Sequence, residues 1–310
     1  MIKSNIGIEG FFTIKIRSLI DNSIIRELFF KNLTLDNGLD EFGLNKKFED
    51  SCKRCYLGVN ATPPTQTDTL NTMNVAGNYA TSGVDNEFSW QNNNEYMRFR
   101  NFYHFTPTSG VGGVVLTEIG VGFTTGVLLA RTLIKDEVGN PASITLLATE
   151  YLDVMYDLHV YPMLNDVTGT RTIGADTYGY TVRSCNIGKG ANEWRDKIIP
   201  LKSYYSSEVN LSSKNNYPTG IGSTTLFNLH NYVQGSFQRT VDFTFNLANA
   251  NLAVGVSLFS FAGSGDGYVQ AVAQIKYMKQ GAPDLTFGTN FPKTASNELN
   301  IQLIVSWGRH

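Results

Sequence analysis

Charge is scarce in this chain. Only 17% of its 310 residues are Asp, Glu, Lys or Arg, and they leave a net charge of −2. That balance excludes the concentrated Lys/Arg field that a nucleic-acid surface or a polybasic membrane patch requires. Cysteine is scarcer still: Cys52, Cys55 and Cys185 are too few, and of the wrong parity, for a disulfide framework. No apolar run reaches the roughly 18 residues needed to span a bilayer. The longest candidate, around Leu252–Ala262, is broken by Gly and Ser. The opening MIKSNIGIEGFF lacks the charged-then-apolar-then-small order of a signal peptide. These absences lead to the expectation of a soluble protein folded in a reducing cytoplasm, with neither nucleic acid nor membrane as partner.

Glycine and asparagine are abundant, at 29 each. Both tolerate positive φ and so favour many tight turns. Between the turns, side chains alternate in polarity. Leu299, Ile301, Leu303, Val305 and Trp307 form one apolar face, and Val241, Phe243, Phe245 and Leu247 another. Leu152, Val154, Tyr156, Leu158 and Val160 repeat the pattern, as do Phe12, Ile14 and Ile16. Period two is the signature of half-buried strands, and a helix would scatter these sets around its cylinder. Further strands are expected at Phe88–Trp90, Tyr96–Phe105, Val114–Val121, Val127–Ile134, Ile144–Ala148 and Tyr268–Tyr277. The loop at Asp136–Pro141 predicts a hairpin between the runs on either side of it. Helix is confined to one or two turns within Asp36–Asp50, with Leu39, Phe42 and Leu44 facing inward, because Gly38 and Gly43 oppose anything longer.

The fold class expected is therefore all-β: an antiparallel β-sandwich, jelly-roll-like, with long loops and little helix. Residues 1–50 read as an N-terminal arm and short segment, and 51–310 as the sandwich domain. Thr62–Val84 reads as a surface loop. Residues 165–218, mixing Gly, Ser, Asn and Tyr with no sustained period, read as an irregular insertion.

Reactive constellations are weak. Cys52-Lys53-Arg54-Cys55 has the spacing of a redox pair or half a zinc site. A redox pair would want a βαβ setting, and a zinc site two more ligands nearby, so two small thiols beside a strand is the better reading. Asp153, Asp157 and His159 share one face of a strand. Positions i and i+4 of a strand lie roughly 13 Å apart, beyond the roughly 5–9.5 Å of paired glycosidase carboxylates, so a polar outer face is expected. The glycine-rich stretches Gly110–Gly113, Gly120–Gly126 and Gly263–Gly267 match no phosphate-binding pattern and read as turns and bulges. No Gly-x-Ser-x-Gly elbow is present. The run Tyr96–Phe105 places Met97, Phe99, Tyr103 and Phe105 on one face. Tyr96, Arg98, Arg100, Phe102 and His104 share the other, which suits a protein interface.

Phe30-Lys31-Asn32-Leu33-Thr34-Leu35-Asp36-Asn37-Gly38-Leu39-Asp40, followed by Tyr56–Pro64, resembles the "KNLxLDxGLD" opening and the "VGxGxxxP" segment after it in structural tail proteins of tailed bacteriophages. Thr117–Gly122, the block from Ile134 through Gly139-Asn140-Pro141 to Val154, and Leu158–Pro162 fit the same order. So do Pro292-Lys293-Thr294 and the closing Val305-Ser306-Trp307-Gly308-Arg309. Cys52 and Cys55 are not part of that pattern. The resemblance implies a non-enzymatic virion component of tail, collar or adjoining particle surface, synthesised in the host bacterial cytoplasm. It implies no cofactor and no catalytic residue, with further copies of itself and other virion proteins as partners.

Contact regions are expected at Met1–Arg17, at the loop Ala61–Val84 and at the insertion Asn165–Pro218. Interface candidates are Arg98, Arg100, Tyr103, Trp194, Tyr204, Tyr205 and Tyr217. The alternative is a receptor- or glycan-binding tail-tip protein. In that case Trp194, Tyr204, Tyr205 and Tyr217 would stack on host surface sugars.

Overall fold

The computed structural model describes residues 2–80, 86–93, 95–173, 175–184, 199, 202–206, 222–224, 227–248, 258–263, 270–279, 293 and 295–310. The chain divides into two compact units. One comprises Gly7–Ser89, Met97–Val160 and Gly308–His310; the other comprises Met1–Ile6, Trp90–Tyr96 and Tyr161–Trp307.

The first unit is built from β1 (Ile2–Ser18) from Gly7 onward, β2 (Ile24–Lys31), β3 (Leu33–Thr34), α1 (Asp36–Gly43), β4 (Arg54–Gly58), β5 (Val75–Ala80) and β6 (Asn86–Gln91) as far as Ser89. It continues with β7 (Tyr96–Phe105), β8 (Val115–Leu116), β9 (Glu118–Gly122), β10 (Leu128–Leu133), β11 (Ile144–Thr145) and β12 (Glu150–Tyr161). Strands β2, β1, β12, β7 and β6 lie side by side in that order, and a second sheet runs β3-β10-β9-β4-β5. The two sheets face each other across an aromatic core. Phe99 of β7 lies 5.6 Å from Phe48, which packs on Phe42 of α1. Tyr79 of β5 meets Tyr103 edge-on and Phe105 at a tilt. The period-two faces explain this burial. Phe12, Ile14, Met97, Phe99, Phe105 and the even-numbered apolar residues Leu152–Val160 are all nearly inaccessible. This is an all-β, antiparallel, sandwich-like architecture.

Two glycines are fixed by close approach. A Cβ on Gly38 would collide with the Cα of Leu129, so α1 rests directly on β10. A Cβ on Gly10 would collide with the Tyr156 hydroxyl.

Several expectations are corrected. Within residues 1–50, expected as an N-terminal arm and short segment, the chain forms β1, β2, β3 and α1. β1 is an inner strand, paired with β2 in register from Phe11↔Lys31 to Ile16↔Arg26 and flanked by β12. Leu44 is exposed, because α1 ends at Gly43 before its next turn returns to the core. Thr62–Val84 holds β5, which pairs with β4. The hairpin expected around Asp136–Pro141 closes only through a Lys135–Pro141 bridge; β10 pairs with β9 and β3, and β11 with β8.

The second unit contains β13 (Val167–Ile173), β14 (Asp176–Ser184), β15 (Lys202–Ser206), β16 (Gly222–Thr224), β17 (Phe227–Leu229), β18 (Gln238–Phe245), β19 (Leu258–Gly263), β20 (Gln270–Lys279) and β21 (Leu299–Arg309). Six of them form a sheet in the order β13-β14-β20-β19-β15-β16, and β17, β18 and β21 are adjacent. Residues 165–218 are therefore not wholly irregular, since β13, β14 and β15 fall within them. Val241, Phe243 and Phe245 sit opposite Leu303, Ile301 and Leu299 and are buried, as their alternation requires. Leu247 lies beyond the end of β18 and is exposed.

Candidate functional site

The outer face of the first unit's β2-β1-β12-β7 array carries the polar residues left over by the period-two pattern. Register places Arg98 opposite His159, Arg100 opposite Asp157, Phe102 opposite Met155 and His104 opposite Asp153. Arg100 clamps Asp157 with two parallel bonds, Nε to Oδ1 at 2.7 Å and Nη2 to Oδ2 at 2.6 Å. Such a fork is the strongest geometry open to a guanidinium and a carboxylate. Hydrogen bonding and charge from Asp157 outweigh burial and raise the Arg100 pKa. Asp153 is shared between His104 Nδ1 at 2.9 Å and Arg17 Nε at 2.9 Å. Lys15 reaches Glu27 at 3.3 Å, and Lys31 reaches Glu9 at 3.2 Å.

An aromatic file crosses this ladder. Phe29 stacks on Phe11 with ring centroids 5.6 Å apart and planes 7° from parallel, and Phe11 lies 4.8 Å from the His159 ring. Burial depresses the His159 pKa to about 4, with Arg98 and Arg100 adding to the shift while Asp157 and Glu9 oppose it. The imidazole is therefore neutral at physiological pH.

A cleft of about 310 Å³ opens at one end of this face, lined among others by Lys15, Arg17, Tyr79, Phe102, His104 and Asp153. It combines aromatic walls with charged groups already engaged with one another.

Of the interface candidates, Arg98 and Arg100 are on this outer face and half-buried by their partners. Tyr103 is corrected to a core residue: it is 2% exposed, and its hydroxyl donates to the Cys52 carbonyl. Its odd position in β7 assigns it to the face shared with Met97 and Phe99. Tyr205 is half-buried and meets Phe245 edge-on at 5.9 Å. Tyr204 lies in β15, opposite Ser260 and Ser223. Trp194 and Tyr217 lie outside the described residues, as do Cys185 and most of Gly263–Gly267.

Cys52 and Cys55 are buried free thiols. Burial raises the Cys52 pKa to about 12, against a smaller opposing bond from Ser51, and raises Cys55 well above its ordinary value. Neither supplies thiolate at neutral pH, in keeping with two small core residues beside β4. Among the described residues, no group of three or more His, Cys, Asp or Glu is placed to hold a metal ion. No helix there is long and apolar enough to cross a membrane. Gly110, Gly113 and Gly126 take positive φ in turns.

One constellation escaped sequence reading. Arg131, in the fully buried β10, donates from Nε to Glu118 Oε2 at 2.7 Å, from Nη1 to Asp68, and from Nη2 to the Thr62 carbonyl at 3.1 Å. Glu118 Oε1 accepts the backbone N–H groups of Asn60 at 3.0 Å and Asn74 at 2.9 Å. Asp68 accepts from the Thr65 hydroxyl at 2.7 Å and the Thr65 N–H at 3.1 Å. Burial alone would raise the Asp68 pKa. The bonds from Thr65 and Arg131 together outweigh it and hold the carboxyl below the usual range. The network ties loop 59–74 to β9 and β10. Its sequence signal is a lone Arg and a lone Glu in strands that otherwise carry no charge.

Comparison of the chain with known protein families, curated proteins and solved structures finds no match.

Proposed function

We propose that this chain is a non-enzymatic structural protein of a bacteriophage virion, assembling in multiple copies with itself and with other virion proteins in the tail, collar or adjoining particle surface. The observation that carries the reading is the apolar β1–β2 hairpin. Leu19, Ile20, Ile24, Ile25 and Phe29 are all substantially exposed, Ile20 by 85% and Phe29 by 63%. Soluble monomers seldom leave so many large apolar side chains of one hairpin uncovered, and such patches mark surfaces that bury against partners. The ordered motifs from Phe30 to Pro162 that resemble tail proteins support the same reading. Purified particles imaged by electron microscopy with the chain labelled should display it in symmetric copies. Its absence from purified particles would overturn the proposal.

The cleft beside Phe102 and Tyr79 favours a second reading, a receptor- or glycan-binding protein at a tail tip. Small-ligand pockets combine apolar and aromatic walls with a few placed polar groups, and this cleft has both. A glycan array separates the two: binding lost on Phe102→Ala would support the second reading, and no binding the first.

A further inference from the structure

The geometry points to β2 as the seam at which a second copy of this chain adds, antiparallel and centred on Phe29; the inference rests on the assembly reading and names its interface. Among the described residues, β2 has β1 as its one sheet neighbour, and Ile24–Lys31 make no backbone hydrogen bond along the other edge. Natural edge strands are guarded by proline, bulges or inward-pointing charges, and an unguarded edge is a template for strand addition. β2 contains no proline, its register with β1 is unbroken from Lys31 to Arg26 and shifts only at its start, opposite Ile16 and Arg17, and its one inward-facing charge, Arg26, is already neutralised by Glu137 at 2.9 Å. Ile24, Ile25 and Phe29 stand exposed on it.

The charges on this edge decide the occupant. Glu27, Phe29 and Lys31 share one face, opposite Lys15, Thr13 and Phe11 of β1. In an antiparallel pair, directly opposed residues share a face, and opposite charges there attract. Pairing two copies about Phe29 sets Glu27 of each against Lys31 of the other, Phe29 against Phe29, and Leu28 against Phe30. Centring on Glu27 would oppose two carboxylates, and centring on Leu28 or Phe30 would leave both charges facing apolar residues. The Phe29 register is therefore self-complementary, as a two-fold interface must be. It also continues the Phe11–Phe29 stack into the second copy.

The test is a charge-swap series on the full chain, with the self-association constant read by sedimentation equilibrium and folding checked by circular dichroism. Glu27→Lys and Lys31→Glu, singly, should each weaken association about tenfold, since each sets like charges face to face at two symmetric positions. The double variant should recover most of the loss. That recovery isolates the contact between copies. Within one chain the double variant still sets like charge against like, a lysine facing Lys15 and a glutamate facing Glu9, where the wild type has ion pairs. Association unchanged by the single swaps, or not recovered in the double, would overturn this interface and leave the assembly reading standing on another surface. A wild-type chain that stays monomeric at all concentrations would overturn this interface, while the assembly reading is overturned by absence of the chain from purified particles.

Discussion

Arg131 and Glu118 face each other across β10 and β9, joined at 2.7 Å with side chains that are 1% and 0% exposed. An ion pair taken this far from water is retained only when every remaining polar atom finds a partner. Here those partners are Asp68 and the backbone of loop 59–74.

Removing one member should therefore cost more than the pair contributes. Arg131→Met is expected to lower unfolding free energy by about 3–5 kcal/mol, because Glu118 and Asp68 are left buried without a cation. Denaturant titration measures the loss. Limited proteolysis should show new cleavage within 59–74, where the backbone anchors have gone.

Acid should act through His159. Its pKa falls from 6.5 to about 4 on folding, so the unfolded chain binds the proton more readily between those values. The stability held by the neutral ring is complete above about pH 6.5 and declines as pH falls towards about 4. His159→Phe keeps a ring beside Phe11 and removes the titration. Its stability relative to wild type should improve progressively from pH 7 to pH 4, and a constant difference across that range would refute the assignment. Asp68, with its lowered pKa, acts at still lower pH in the same direction: its contribution is present above about 3.8 and is lost as pH falls through its folded value.

The buried thiols should be silent. In a Cys185→Ser variant, a thiol reagent at pH 8 should label neither Cys52 nor Cys55 until denaturant is added, and then both. Rapid labelling of the native protein would contradict their burial and raised pKa values.

Gly10→Ala should destabilise by about 1–3 kcal/mol, the usual cost of forcing a methyl into a packed site. The added Cβ meets the hydroxyl and Cζ of Tyr156 and the amide of Asn32, which itself donates to that hydroxyl at 2.9 Å. Tyr156→Phe should recover part of the loss, so the double-mutant cycle should be non-additive.

Much of this fold was legible because parity alone sorts a half-buried strand. Met97, Phe99 and Phe105 face the core while Arg98, Arg100 and His104 face out, as alternation demands. Pattern reading failed where burial has no parity. β9 and β10 are buried at every position, so nothing in their sequences singles out which residue meets which, and the Arg131 network stayed invisible. It failed again in β13, where Thr168, Thr170 and Thr172 alternate with Gly169 and Arg171, a period of two with no apolar stripe. The outer-face pairs fell between these cases. Asp153, Asp157 and His159 were legible as one face, but their partners depend on the register with β7, which a single strand does not encode.

Loop 59–74 is held by the buried Asp68 carboxylate on Arg131 and by main-chain atoms: the amides of Asn60 and Asn74 on Glu118, the carbonyl of Thr62 on Arg131 and the amide of Thr65 on Asp68. Side chains such as Ala61, Gln66, Thr67 and Asn71 point to solvent and take no part in that anchoring. The loop's shape is thus uncoupled from the identity of its outward residues, which makes it a display platform. A short foreign epitope can replace those positions while the strands beneath keep it in a single presentation.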